Sequence, residues 1–217
     1  MRAPFWLLCL VLAACASAPP TPDLTSPSTT SAAVVEFPRA VDVEAGSYRL
    51  DPRHASVTWR ILHQGLSWYT ARFSKLDATL AFNAGDPSLS ALAVTIDAAS
   101  VDTGLVNARG ERAFDREIAE ALGAPAHPQI SFRSTAIERT GPDTGRVTGD
   151  LTLNGVTKPA VLDVHYNGGR FDPLRAHTVL GFSARARIDR SQWGVTRWGA
   201  FVSDEVEIVI EAEFVRS

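Results

Sequence analysis

Cysteine is nearly absent from this chain of 217 residues; the two present, Cys9 and Cys15, both fall within the first fifteen. No pair remains further along, so disulfides cannot staple the fold and stability must come from burial. An excess of one charge sign is also lacking: 21 Lys and Arg stand against 24 Asp and Glu, a net charge of -3. Without a basic footprint, nucleic acid is set aside as a partner. The apolar run from Phe5 to Ala14 is too short to cross a bilayer as a helix. Gly-x-Ser-x-Gly, His-Glu-x-x-His, a phosphate-cradling glycine loop and Cys-x-x-Cys do not occur, so no catalytic residue is nominated. His54, His63, His127, His165 and His177 include no pair spaced i, i+2 or i, i+4, so no metal set or cofactor is nominated either.

What is present begins with Arg2 and the short apolar run, which read as a secretory signal over residues 1–15. Its end, Leu12-Ala13-Ala14-Cys15, resembles the lipobox of bacterial lipoproteins. That resemblance implies cleavage before Cys15, lipidation of its sulfur and an anchor on the periplasmic side of the envelope. Ala16, where an aspartate would imply inner-membrane retention, points to the outer membrane. Residues 16–45 shift to Pro, Ser, Thr and Ala and read as a solvated tether. The folded domain is expected over residues 46–217.

Within that domain the two-residue period of half-buried strands prevails. Val57, Trp59 and Ile61 alternate with polar neighbours, as do Val94 with Ile96 and Ile130 with Phe132. In "DEVEIVIEAEFV" the residues Val206, Ile208, Ile210, Ala212 and Phe214 share one face, while Glu205, Glu207, Glu211 and Glu213 share the other, expected to be solvated. Helical spacing is confined to about Glu111–Leu122, ended by Gly123 and the prolines at 125 and 128. Asn154-Gly155 predicts a type I′ turn that sets Leu153 against Val156 and Val147 against Leu162. About eight strands, each with one dry face, predict an all-β protein that either pairs them as two sheets or closes them into an antiparallel barrel with one short helical insertion, and closure would leave no edge exposed. A barrel of eight is either filled by side chains or holds one small ligand, and periodicity leaves both open.

Six blocks, taken together and in order, resemble the YceI-like family: "YRLDPRHASVTWRILHQGLSWYTARF" (48–73), "IDAASVDTG" (96–104), "HPQISFRSTAIE" (127–138), "VTGDLTLNGVTKPAVLDV" (147–164), "GFSARARIDRSQWGV" (181–195) and "SDEVEIVIEAEF" (203–214). The resemblance implies a lipocalin-like barrel whose long apolar pore binds a polyisoprenoid or a similar long-chain amphiphile, such as a quinone, without covalent chemistry. Two departures stand out. Residues 109–113 read Arg-Gly-Glu-Arg-Ala where the family commonly has Arg-Asp-x-His-Leu, and Ala71, Leu76 and Ala78 replace a glycine, a phenylalanine and a glycine.

Candidate lining residues of such a pore are Trp59, Ile61, Val94, Ile96, Phe132, Leu151, Leu162, Val164, Phe182 and Ile208, each on the inward parity of its strand. Lys158, also inward by parity and close to the turn, is a candidate for a charged head group, with Arg109 and Arg112 as alternatives. Trp193, Trp198 and Phe201 lie in a glycine-containing loop placed to cap a pore. His54 and His63 are read as strand-end hydrogen-bonding groups. Two other functions compete: a solid-cored module that recognises another envelope protein through its outer face, and a metal-dependent enzyme assembled from distant histidines.

Overall fold

Ten segments adopt the extended backbone that their two-residue period favours: β1 Gly46–His63, β2 Ser67–Phe73, β3 Leu76–Phe82, β4 Ala91–Asp97, β5 Val101–Asp102, β6 Gln129–Arg139, β7 Thr144–Leu153, β8 Val156–Asp172, β9 His177–Asp189 and β10 Val202–Arg216. One α-helix, α1 Ala113–Ala121, falls between β5 and β6. The structure is a computed structural model and describes residues 43–174 and 176–217. The signal, Cys15 and the tether up to residue 42 lie outside the described residues, while Gly46, where the domain was expected to begin, opens β1.

All pairings are antiparallel, and the sheet runs β10-β9-β8-β7-β6-β4-β3-β1, with β1 returning to β10. The closing seam sets Tyr48 against Arg216, Trp59 against Ile208 and Ile61 against Val206. The ring has eight staves, as the sequence predicts. The two surplus strands have a simple origin. β2 and β3 are one stave interrupted at Ser74-Lys75: β2 pairs with β1 from His63 to Val57, and β3 with its beginning, Arg49 to Gly46. On the seam side β1 shifts register between Leu50 and Ala55, a bulge braced by buried Asp51, which accepts from Arg53 N–H and engages His54 Nδ1 at 2.9 Å. The two-residue β5 lies along the edge of β2.

The Asn154-Gly155 turn has the two positive φ angles of type I′, 51° and 73°. Its register sets Leu153 against Val156 and Val147 against Leu162, as predicted. The helix closes in a Schellman motif, in which Ala124 N–H donates to Ala119 O and Gly123 N–H to Glu120 O, with Gly123 at φ 77°. A Cβ on Gly123 would come within 1.9 Å of Asn154 Oδ1, so the helix end sits directly on the hairpin turn. Asn154 Nδ2 also donates to Trp193 O at 3.1 Å, tying in the short turn Arg190–Trp193.

One expected surface is different. Glu207 is buried on the outer face rather than solvated, because Arg60 and Arg187 close over it from the two neighbouring strands, the latter at 2.9 Å. Those arginines, Arg60 first, hold its carboxyl below the usual range.

Candidate functional site

The interior of the barrel is hollow. A cavity of about 960 Å³ runs inside it, at the upper end of the roughly 300–1,000 Å³ typical of small-molecule sites. The solid core that the sequence left possible is therefore not the one formed. The volume comes from small residues at inward positions: Ala160 on β8, Ala184 and Ala186 on β9 and Ala212 on β10, three adjoining staves, and Ala78 on β3 all line it. On β10 the wall extends from Val202 to Phe214, about 40 Å along a strand at ~3.3 Å per residue and roughly 30 Å along the axis after the usual tilt.

Ten of the sequence candidates lie on this wall: Trp59 and Ile61 on β1, Val94 and Ile96 on β4, Phe132 on β6, Leu151 on β7, Leu162 and Val164 on β8, Phe182 on β9 and Ile208 on β10. Parity found them because a closed barrel has a single inside. Lys158 and Trp193 are not on the wall. Lys158 has the right parity but stands opposite Leu151 at the hairpin end, over which the 190–193 turn packs. Trp193 is only 2% exposed and belongs to the packed layer beside α1; its Nε1 donates to Leu151 O at 3.0 Å. Trp198 and Phe201, from the same loop, do reach the wall. Arg109 and Arg112 do not: Arg112 is clamped to Asp102 and Asp115, and Arg109 sits 3.5 Å from Glu111.

Sequence reasoning offered Trp198 and Phe201 as caps but missed the other side chains that close the two ends. At the helical end α1 contributes Phe114 and Ile118, and a chain of rings forms: Trp59 to Tyr69 at 6.3 Å, Tyr69 to Phe114 at 5.9 Å and Phe114 to Trp198 at 5.9 Å. At the other end Phe82, Tyr166, Phe182 and Phe214 pack with centroids 5.3 to 6.4 Å apart. The 3.6-residue spacing of Phe114 and Ile118 was the available signal for the first group. The second unites residues far apart in sequence and left no local trace.

Polar side chains reach the wall only towards the ends. His63, Arg190 and Arg197 do so at the helical end, and Glu138, Arg139 and Asp143 at the end formed by the β6–β7 turn. Burial pulls the Arg190 guanidinium below its ordinary pKa, opposed by the charge of Asp204. A group able to hold a cation among the described residues, Asp51 with His54 and Glu213, lies at the β1 bulge and not on the cavity wall.

Comparison with known proteins agrees with this geometry. A UPF0312 protein of Pectobacterium atrosepticum is 38% identical over 174 residues, which are 79% of this chain and 88% of that protein. The crystal structure of Burkholderia cenocepacia BcnA superposes with a TM-score of 0.65 at 24% identity, covering 76% of this chain and 98% of BcnA. A polyisoprenoid-binding domain from Saccharophagus degradans, implicated in plant cell wall breakdown, superposes with a TM-score of 0.55 at 15% identity, covering 80% of this chain and all of that domain. The YceI-like domain model matches residues 48–214, and with the closed barrel and the relatives above, the chain belongs to the YceI-like family.

Proposed function

We propose that this barrel binds one long-chain lipid of isoprenoid type, or a quinone, in its apolar cavity and carries, stores or senses it in the bacterial envelope without covalent chemistry. The observation that carries the proposal is the hollow itself: some 960 Å³ walled by aliphatic and aromatic side chains along the barrel axis. A hydrocarbon leaves water for such a wall at about 0.8 kcal/mol per CH₂. Three isoprene units would supply on the order of 12 kcal/mol before the ordering costs of association. The S. degradans domain, named for polyisoprenoid binding, has the same fold, and membership of the family supports the same ligand class here. Tethering through Cys15, on the periplasmic face and at the outer membrane, is the reading the lipobox-like sequence supports.

Organic extraction of the purified protein, followed by mass spectrometry, tests the proposal. One long-chain lipid per protein is the expected result. A protein that carries none, and that takes up neither prenols nor quinones on titration, would overturn it and return the interaction module to first place.

A further inference from the structure

Arg190 is only 7% exposed, yet it lies on the wall of an apolar cavity. Its Nε donates to Ser203 O at 3.0 Å, and its Nη1 to Val195 O at 2.7 Å and Arg197 O at 2.9 Å. These bonds clamp the loop that follows the 190–193 turn. They account neither for the charge nor for Nη2, which donates to nothing among the described residues. Arg190 also forms no ion pair there: Asp204, the acid that acts on it, has its oxygens taken by Ser191 N–H and Oγ. An arginine does not escape this by losing its proton, and a buried charge without a direct ion-pair partner is costly.

Arg197 and His63 line the same end of the cavity, while the carboxylates that line it, Glu138 and Asp143, belong to the opposite end together with Arg139. Arg197 stacks 4.5 Å over Trp198 and is balanced by Glu117 and Glu120 outside the wall, each 3.6 Å away. Arg190, a buried cation that makes no ion pair among the described residues, thus stands beside the α1 end, away from the carboxylates of the wall.

We infer that this end is an oxyanion subsite: Arg190 Nη2 receives the terminal phosphate or carboxylate of a long-chain ligand whose tail runs towards the Phe82–Phe182–Phe214 end. The inference rests on the lipid reading of the cavity and gives that ligand a head group and a direction.

Three ligands with one tail test it: geranylgeranyl phosphate, geranylgeranoic acid and geranylgeraniol, titrated by calorimetry into the wild-type protein freed of lipid. At least one anion is expected to bind tenfold or more tightly than the alcohol, and the tighter of the two names the head group. In Arg190→Gln that preference should fall below threefold, with near-UV circular dichroism reporting the fold. A second variant fills the subsite instead. A Cβ on Gly199 would lie 3.8 Å from Arg190 Nη2 and 3.3 Å from Thr196 O, so Gly199→Asp asks that carbonyl to give by a few tenths of an ångström, supplies an internal carboxylate and should abolish the preference while keeping Arg190 itself. Equal affinity for all three ligands in the wild type, or a preference that survives in Gly199→Asp, would overturn the subsite and leave the apolar cavity standing. Failure of all three to bind would overturn the cavity reading itself.

Discussion

At the scale of single residues, the function turns on side chains that are small. Ala184 faces Val164 on one neighbouring strand and Ile210 on the other, and all three line the cavity. Trp in its place would put an indole into space that already exists, so the overpacking cost of a dense core does not arise. Ala184→Trp is expected to fold with a Tm close to wild type and to lose tenfold or more in affinity for a C20 prenol, read by calorimetry; unchanged affinity would place the ligand elsewhere. The candidate wall was legible at this scale because strand parity needs only local sequence. Hollowness was not, since alanine at 160, 184, 186 and 212 means empty space only once the staves are known to be neighbours. Lys158 and Trp193 mark the same limit: parity and aromaticity say which way a side chain can turn, whereas the 190–193 turn packing on the hairpin end decides what it meets.

At the scale of elements, the helical end is held by contacts between pieces that are each short. Asn154 has φ 51°, a left-handed conformation it tolerates better than most residues, and it bonds to Trp193 O. Asn154→Ala keeps the strands but loses both advantages, an expected cost of about 2 kcal/mol and a Tm drop on the order of 5 °C by thermal denaturation. The segment before α1 is held by charge: Asp102 accepts from Arg72, from Gly104 N–H and from Arg112, which hold its pKa at about 2. In Asp115 burial raises the pKa, but bonds from Thr103 and Arg112 outweigh it and the net direction is down. Both acids are thus depressed in the fold, so their contribution is fully present above the ordinary carboxylate range near 4 and is lost as pH falls through their folded values. The Tm difference between wild type and Asp102→Asn should accordingly be greatest at neutral pH and shrink towards nothing near pH 2; a difference independent of pH would remove the charge clamp as its cause. The helix, the type I′ turn and most strands could be read from period and turn chemistry. The split of one stave into β2 and β3 could not, because it answers to a bulge in β1 some twenty residues away.

For the whole molecule, closure and hollowness pull in opposite directions. The β1–β10 seam closes the ring, leaving an edge at β2 where the short β5 pairs, and lets a domain with no cysteine beyond residue 15 hold its shape. The cavity at its centre forgoes the close packing that a domain of this size would otherwise use, and missing contacts of this kind are destabilising. A ligand that fills the hollow restores those contacts in the folded state only, so binding and stability must be linked. At a free concentration a hundred times Kd the linkage is about 2.7 kcal/mol, which for a domain of this size raises Tm by roughly 5–10 °C. The rise should grow with prenol chain length while the tail still fits the roughly 30 Å of wall, then level off. Differential scanning fluorimetry across C10, C15, C20 and longer prenols reads both features. A solid interior predicts no rise at any length, and a surface site predicts a rise that ignores length. Only an enclosed apolar cavity of fixed extent produces a plateau, and the length at which it begins measures the cavity in solution.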